Sequence, residues 1–275
     1  MDQSRLEAEL TVPVYYEDMI PNTNDRAKQI ARSGTSEGTF VIAKEQTAGR
    51  GRTGNRWVSP PGGVWSSTVL QPDFPVDKVG RLTFAGGIAV AKTIENYGLQ
   101  PHLKWPNDIL VNGKKIAGIL TEISVDGVSF SGKPVDAIFP NRNPAETTID
   151  FAILGIGVNV NNDTESMDLD RAITSFSAEE KSVSPTDVAI TLHKQITKYY
   201  QFCHSQEGFQ RLLTEWKSYP NTIGSEVAID LYATDTDITG TAVDINANGG
   251  LIIDTGTEQR EITEGECQEL ADVTS

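Results

Sequence analysis

Cysteine is nearly absent from this chain, with only Cys203 and Cys267 among 275 residues. Two thiols so far apart in sequence build no disulfide framework, so a reducing compartment, the cytoplasm by default, is expected. Histidine is as scarce, and His102, His193 and His204 form no ligand spacing with either cysteine, which argues against zinc. No apolar run approaches the ~18 residues of a membrane span, and the acidic start MDQSRLEAELTVP lacks the apolar centre of a secretion signal. Neither a G-x-S-x-G elbow nor a Cys–His pair supports covalent hydrolysis. Positive charge is also in deficit: 23 Lys and Arg face 38 Asp and Glu, for a formal net charge of −15. Such a balance opposes sequence-independent nucleic-acid binding, because the phosphate backbone is repelled overall. It suits a high-salt medium, where screening removes self-repulsion.

Against that background, Gly49 to Gly62 reads GRGRTGNRWVSPPG and concentrates Arg50, Arg52 and Arg56 within seven positions. Glycines between them free the backbone to wrap closely, and guanidinium groups grip carboxylate or phosphate bidentately. An anion site is expected here, in preference to a solvated basic loop. Gly49 to Gly54 also spells the dinucleotide fingerprint G-x-G-x-x-G, but that motif requires the last glycine to open a helix. Here Trp57-Val58-Ser59-Pro60-Pro61-Gly62-Gly63 follows, and two prolines with two glycines do not begin one.

The 38% hydrophobic content supports a real core. Strands are expected at Val12–Tyr16, Thr39–Lys44, Val64–Leu70 and Phe151–Val160. A helix capped by Thr23 should run from Asn24 to Ser33 and stop at Gly34. Val79, Leu82, Ile88, Ala91 and Ile94 recur at helical spacing up to Gly98, and the Gly86-Gly87 pair within them suggests close packing on a sheet. Asn112-Gly113 between Ile109–Val111 and Lys115–Ile123 is a strong hairpin signal. Ser184-Pro185 announces a helix reaching Cys203, and another should span Glu207–Tyr219. Strands alternating with a few helices on one side indicate an α+β (mixed α/β) fold with a mixed sheet. After Pro220 the helical period vanishes, and short alternating strands suggest a small β-barrel. The expected division is 1–220 and 221–275. Asp126–Asp150 reads as a surface excursion, and Asp163–Ser182 as a mobile loop.

Lys104-Trp105-Pro106-Asn107-Asp108 places a cation, an aromatic, a turn and oxygen donors in five residues before the hairpin. It is either an ordinary turn or a corner handling phosphate and Mg²⁺, with Asn107 and Asp108 as oxygen donors. The hairpin returns Lys115 toward that corner. Gly155 to Asn161, GIGVNVN, ends an apolar strand with small residues and amides, and the glycines suit close approach of a ligand to the backbone.

GRGRTGNRW, KWPNDILVNGKKIAGIL and GIGVNVN, in this order and spacing, resemble the signature segments of biotin protein ligases. Asn22-Thr23-Asn24-Asp25 is similar to the family's Ser-Thr-Asn segment, and the C-terminal strands to its SH3-like barrel. The resemblance spans roughly Val12 to Leu270. It implies a catalytic domain of the class II aminoacyl-tRNA synthetase-like, biotin–lipoate ligase type. It further implies activation of biotin by ATP to biotinyl-5′-AMP, then transfer to a lysine of a biotin carboxyl carrier domain, with Mg²⁺ and no prosthetic group or covalent enzyme intermediate. Asn22, Thr23, Asn24, Gln46, Arg50, Gly51, Arg52, Lys115 and Gly118 are the implied biotin residues. Arg50, Arg52, Arg56, Trp57, Lys104, Asn107, Lys115 and Asn159 are the implied ATP residues. Arg52, Lys104, Asp108 and Lys115 are the implied catalytic set, and Asp108 is the one candidate for Mg²⁺. The arginine loop is expected to order over the ligand. Asn22 in place of serine and Asn55 in place of arginine depart from the family pattern. With only some ten residues before Val12 there is no room for a helix-turn-helix, so repressor activity is not expected. A lipoate-type ligase and a non-catalytic biotinyl-AMP binder are the rival readings, and strand pairing around GIGVNVN would offer a route to a homodimer.

Overall fold

The computed structural model describes residues 1–131, 140–165, 167, 172–231 and 237–270. Parts of both expected surface segments, 132–139, 166 and 168–171, lie outside the described residues. The first unit is built on β1 (Val14–Ile20), β2 (Phe40–Gln46), β3 (Val64–Leu70), β4 (His102–Lys104), β5 (Asp108–Val111), β6 (Lys114–Val125), β7 (Val128–Ser131) and β8 (Phe151–Val158). They form one mixed sheet in the order β1-β2-β3-β8-β6-β5-β4, with β7 paired to β6. Only β1 and β2 run parallel. Because β8 lies between β3 and β6, its backbone is already paired on both sides. The expected dimer contact through GIGVNVN is therefore corrected: an interior strand has no edge to offer.

Alternation along these strands buries both faces of the sheet. Phe40, Ile42, Leu70, Ala152 and Leu154 join the larger core beneath α3 (Gly80–Glu95), α4 (Pro185–Tyr200) and α5 (Gln206–Ser218). Val41, Val69, Phe151 and Ile153 point the other way, onto Ala27 and Ile30 of α2 (Thr23–Arg32). Helices thus cover both faces rather than one. A Cβ on Gly86 of α3 would meet Leu154 and Ile119 at 3.3–3.4 Å, so that glycine lets the helix settle on β8 and β6. The cap of α2 is Asn22, whose side chain accepts from Asp25 N, one residue ahead of the expected Thr23.

A short α1 (Gln3–Glu9) precedes the sheet and buries Leu6. Asp126 and Gly127, at φ 49° and 76°, turn β6 back into β7, so the expected excursion begins as a hairpin. The described part of the expected mobile loop is pinned: Lys115 N donates to Ala172 O, Thr174 N donates to Lys115 O, and Phe176 is buried.

The C-terminal unit comprises β9 (Glu226–Asp230), β10 (Ile238–Ile245), β11 (Leu251–Asp254), β12 (Gln259–Ile262) and β13 (Glu266–Glu269). These make an antiparallel sheet in the order β12-β11-β10-β9-β13. Both cysteines are buried and free. No helix of the described residues is long and apolar enough to cross a membrane.

Candidate functional site

On the α2 face of the sheet, cover by the helix stops at its N-terminus, and the strands beyond carry small residues. Ser67, Gly155 and Leu120 form one row across β3, β8 and β6, and Trp65, Gly157 and Gly118 form the next. Gly155 and Leu120 of the first row and Gly157 and Gly118 of the second floor a cavity of about 910 Å³. Asn22, Thr23, Asn24 and Gln46 line one end of it; Arg50, Gly51, Arg52, Arg56 and Trp57 line its roof. Lys104, Asn107, Asp108, Lys115, Gly118 and Asn159 complete its lining from the first unit, while Asp230, Glu266 and Cys267 face it from the C-terminal sheet. Every residue expected at the site therefore borders one space.

The end beside α2 is a closed hydrogen-bond network. Thr23 donates from its backbone N (2.8 Å) and hydroxyl (3.0 Å) to Gln46 Oε1, and Gln46 Nε2 donates to Ser59 Oγ at 2.9 Å. The Ser67 hydroxyl lies 2.5 Å from Asn24 Oδ1 and 2.8 Å from Thr23 Oγ1. Asn24 Nδ2 donates to Glu122 Oε2 at 2.7 Å, so its amide orientation is fixed from both ends. Thr23 Oγ1 and Asn24 Oδ1 keep acceptor capacity toward the cavity, and Gln46 Nε2 keeps one N–H.

The arginine loop is a folded turn. Gly51 N donates to Asn55 O and Trp57 N to Gly49 O, Arg50 bridges Arg56, and Arg52–Gly54 forms one 3-10 turn. These backbone bonds already order the loop, and they send its guanidinium groups to separate partners. Arg50 makes a bidentate pair with Asp25, both contacts at 2.7 Å. That pairing, with Lys28 Nζ 2.8 Å from the same carboxylate, holds the Asp25 carboxyl down to about 2, and it raises the guanidinium further above its ordinary value. Arg52 donates to Asn107 Oδ1 (3.3 Å) and Gly265 O (3.4 Å), reaching both units.

Trp57 lies over the second glycine row: a Cβ on Gly157 would fall 2.5 Å from its Nε1, and one on Gly118 3.0 Å from its Cζ3. Lys115 Nζ sits 5.2 Å from the Trp57 ring centroid and 2.5 Å from Asp108 Oδ1. The glycines of GIGVNVN thus admit side chains, Asn24 at Gly155 and Trp57 at Gly157, close to the backbone. In the corner, Lys104 pairs with Asp108 across β4 and β5, and Asn107 Nδ2 donates to Ile119 O at 2.8 Å. Asn159 is buried, and its amide holds Thr174 O (2.9 Å) and Asn162 (3.1 Å). Cys267 has its thiol pushed up to about 12 by burial, which makes it a poor nucleophile.

Asp25, Ser59, Ser67 and Glu122 were not among the expected site residues. Glu122 did carry a signal, being a carboxylate two residues beyond the apolar pair Ile119-Leu120 and directly before Ile123. The serines carried none. Among the described residues no group of three or more His, Cys, Asp or Glu could hold a metal ion alone.

Residues 16–132 match a model described as the biotin/lipoate A/B protein ligase family, and 222–268 match the biotin protein ligase C-terminal domain. The chain is 35% identical over 246 residues to the bifunctional ligase/repressor BirA of Bacillus spizizenii, covering 87% of this chain and 69% of that protein. With the biotin--[acetyl-CoA-carboxylase] ligase of Mycobacterium tuberculosis it shares 29% identity, covering 90% of this chain and 86% of the other. In three dimensions it is similar to biotin protein ligase from Aquifex aeolicus in complex with biotin and ATP. That likeness has a TM-score of 0.74 at 25% identity, over 94% of this chain and 99% of that one.

Proposed function

This chain belongs to the biotin protein ligase family, and from that premise we propose that it joins biotin to ATP as biotinyl-5′-AMP and transfers the biotinyl group to a lysine of a carrier domain. The observation that carries the reading is the meeting of a polar pocket, an arginine loop and a lysine–carboxylate corner around one cavity. A ureido ring presents two N–H donors and a carbonyl. Thr23 Oγ1 and Asn24 Oδ1 supply acceptors for the former, and the remaining Gln46 N–H a donor for the latter. Asn22 holds that group by capping α2 and donating to Ala48 O. A dithiolane ring would leave the same buried groups unanswered, which disfavours lipoate.

In the first step a carboxylate oxygen of biotin attacks the α-phosphorus of ATP, the bond to the β-phosphate oxygen breaks, and pyrophosphate leaves. Two anions must approach, so positioned cations supply most of the catalysis. Lys115, held by Asp108, bridges carboxylate and α-phosphate; Arg52 and Arg50 flank it, while Arg56 and Trp57 border the nucleotide. Gly51 and Gly118 keep the backbone close to the ligand, and Asn159 shapes the nucleotide side through the segment it holds. Mg²⁺ on ATP needs only one or two protein oxygens besides phosphate and water. Asp108 fits that demand, and the ion would neutralise phosphate charge. In the second step the carrier amine, having lost a proton, attacks the acyl carbon and AMP departs, with Lys104 and Asn107 lining its approach.

The carrier domain and a cytoplasmic setting belong to this proposal, as does a catalytic unit ending at 220 with the C-terminal unit from 221. For a homodimer, the sheet order places β1, unlike β8, at an edge of the sheet, and sedimentation would read the state. Labelled biotin, ATP, Mg²⁺ and a biotin carboxyl carrier domain, with lipoate as competitor, test the activity. Labelling of the carrier that resists lipoate is expected. Adenylate bound without transfer would indicate a binder, and preferential lipoyl transfer a lipoate ligase.

A further inference from the structure

The corner that carries Lys104, Asn107 and Asp108 is held from the C-terminal unit by one carboxylate oxygen. Trp105 N, the peptide directly after Lys104, donates to Thr222 Oγ1 at 2.8 Å, and Thr222 Oγ1 donates onward to Glu269 Oε1 at 2.7 Å. The same oxygen of Glu269, on β13, meets His102 Nε2 of β4 at 3.1 Å. Lys104 therefore lies between two links to a single atom of the other sheet, a direct one from His102 two residues before it and one from Trp105 that passes through Thr222. The Trp105 indole N–H also donates to Gly249 O of the C-terminal unit (3.2 Å), and Leu103 N donates to Pro220 O (2.8 Å) at the end of the first unit. Thr222 is fully buried, so its hydroxyl has no water to replace a lost partner. Burial pushes the Glu269 carboxyl up, but the bonds from His102 and Thr222, with the nearby charge of Lys104, outweigh it and keep the group below the usual carboxylate range. It is a charged acceptor fixed at the seam between the two units.

We propose that Glu269 is a positioning residue for the transfer step, acting through Thr222 and His102 to hold Lys104 and, after the turn, Asn107 against the cavity. The inference rests on the ligase reading. It assigns to the C-terminal sheet a specific task in catalysis, which a separate stabilising appendage would not have.

The two half-reactions separate this task from bulk stability. Biotin-dependent pyrophosphate release reads adenylation, and single-turnover labelling of a carrier domain by preformed biotinyl-AMP reads transfer. Glu269→Ala and Thr222→Val should each slow transfer by about tenfold to a hundredfold, the range expected when reacting groups are slightly misplaced. Biotin KM should stay within about twofold of the parent, since that pocket is not touched. Glu269→Gln, whose amide oxygen can accept both bonds, should restore most of the rate. The Glu269→Ala/Thr222→Val double variant should be no slower than the slower single variant, because both break one chain of contacts. Parental transfer in Glu269→Ala would overturn the proposal, as would a Glu269→Gln variant as slow as the alanine or strictly additive losses. Should Glu269→Ala fail to fold, Thr222→Val against Thr222→Ser gives the same contrast, with serine expected to transfer and valine not. A parent enzyme that labels no carrier defeats the ligase reading first, and this proposal with it.

Discussion

A single methyl group tests how closely the biotin end is fitted. At Gly155 a Cβ would stand 2.2 Å from Asn24 Oδ1, so Gly155→Ala must drive Asn24 off Ser67 or Glu122. Overpacking of this kind costs about 1–3 kcal/mol of stability. Because Asn24 is displaced, calorimetric biotin affinity should fall about tenfold or more, the equivalent of ~1.4 kcal/mol. Unchanged affinity would remove Asn24 from the ligand's surroundings. The Asp25–Arg50 pair gives a pH test. Asp25 falls from 3.8 to about 2 on folding, so its contribution is present above pH 3.8 and is lost as pH drops through about 2. With its side chain 43% exposed, solvent screening reduces the contribution to about 1 kcal/mol. Asp25→Asn should therefore flatten the acid limb of a urea stability profile between about pH 4 and pH 2, and an identical limb would show that the pair adds nothing. The arginine loop was legible in the sequence because it runs against an acidic composition, and Lys115 because the Asn112-Gly113 hairpin returns it toward the Lys104–Asp108 corner. Asp25, Ser67 and Glu122 were not, since their significance arises only when residues 25 to about 100 positions apart are paired.

Elements were legible where local chemistry alone defines them. Asn112-Gly113 turns β5 into β6 at φ 50° and 73°, as its sequence indicates. Asp126-Gly127 does the same for β6 and β7, but its setting among Pro, Asn and Gly reads as loop. The three residues of β4 are too few for a pattern, and α1 buries only Leu6. Helices on opposite faces of the sheet follow from which side each apolar residue takes. That depends on the strand order, a long-range property. The start of α2 shows how an element serves the site. Asn22 caps it and also donates to Ala48 O at 3.3 Å, tying the helix to the approach to the arginine loop. Asn22→Ala should lose about 1 kcal/mol in chemical denaturation, and Asn22→Ser, which keeps a capping oxygen, should recover most of it. If serine and alanine were equally destabilised, the tether to Ala48 would outweigh the cap. That outcome would shift the explanation from helix termination to loop anchoring.

For the whole molecule, charge is unevenly shared. Arg50, Arg52, Arg56, Lys104 and Lys115 border the cavity of a chain whose net charge is −15. The C-terminal sheet sets the carboxylates of Asp230 and Glu266 against the same cavity. Cations there act on substrate at short range, while carboxylates elsewhere repel one another over longer distances. Salt separates these two regimes. Raising KCl from about 0.01 M to about 1 M shortens the Debye length from ~30 Å to ~3 Å, which erases repulsion between distant carboxylates and leaves bonded pairs such as Lys115–Asp108 largely intact. Self-repulsion destabilises the compact state, so the melting temperature should climb across this range. Sucrose at matched osmolality separates screening from general exclusion of solute from the surface. A rise in salt that clearly exceeds the rise in sucrose would identify screening as the cause. A flat or falling curve would mean that surface pairs such as Arg5–Asp187 and Lys217–Asp244 stabilise the fold more than the excess acid strains it.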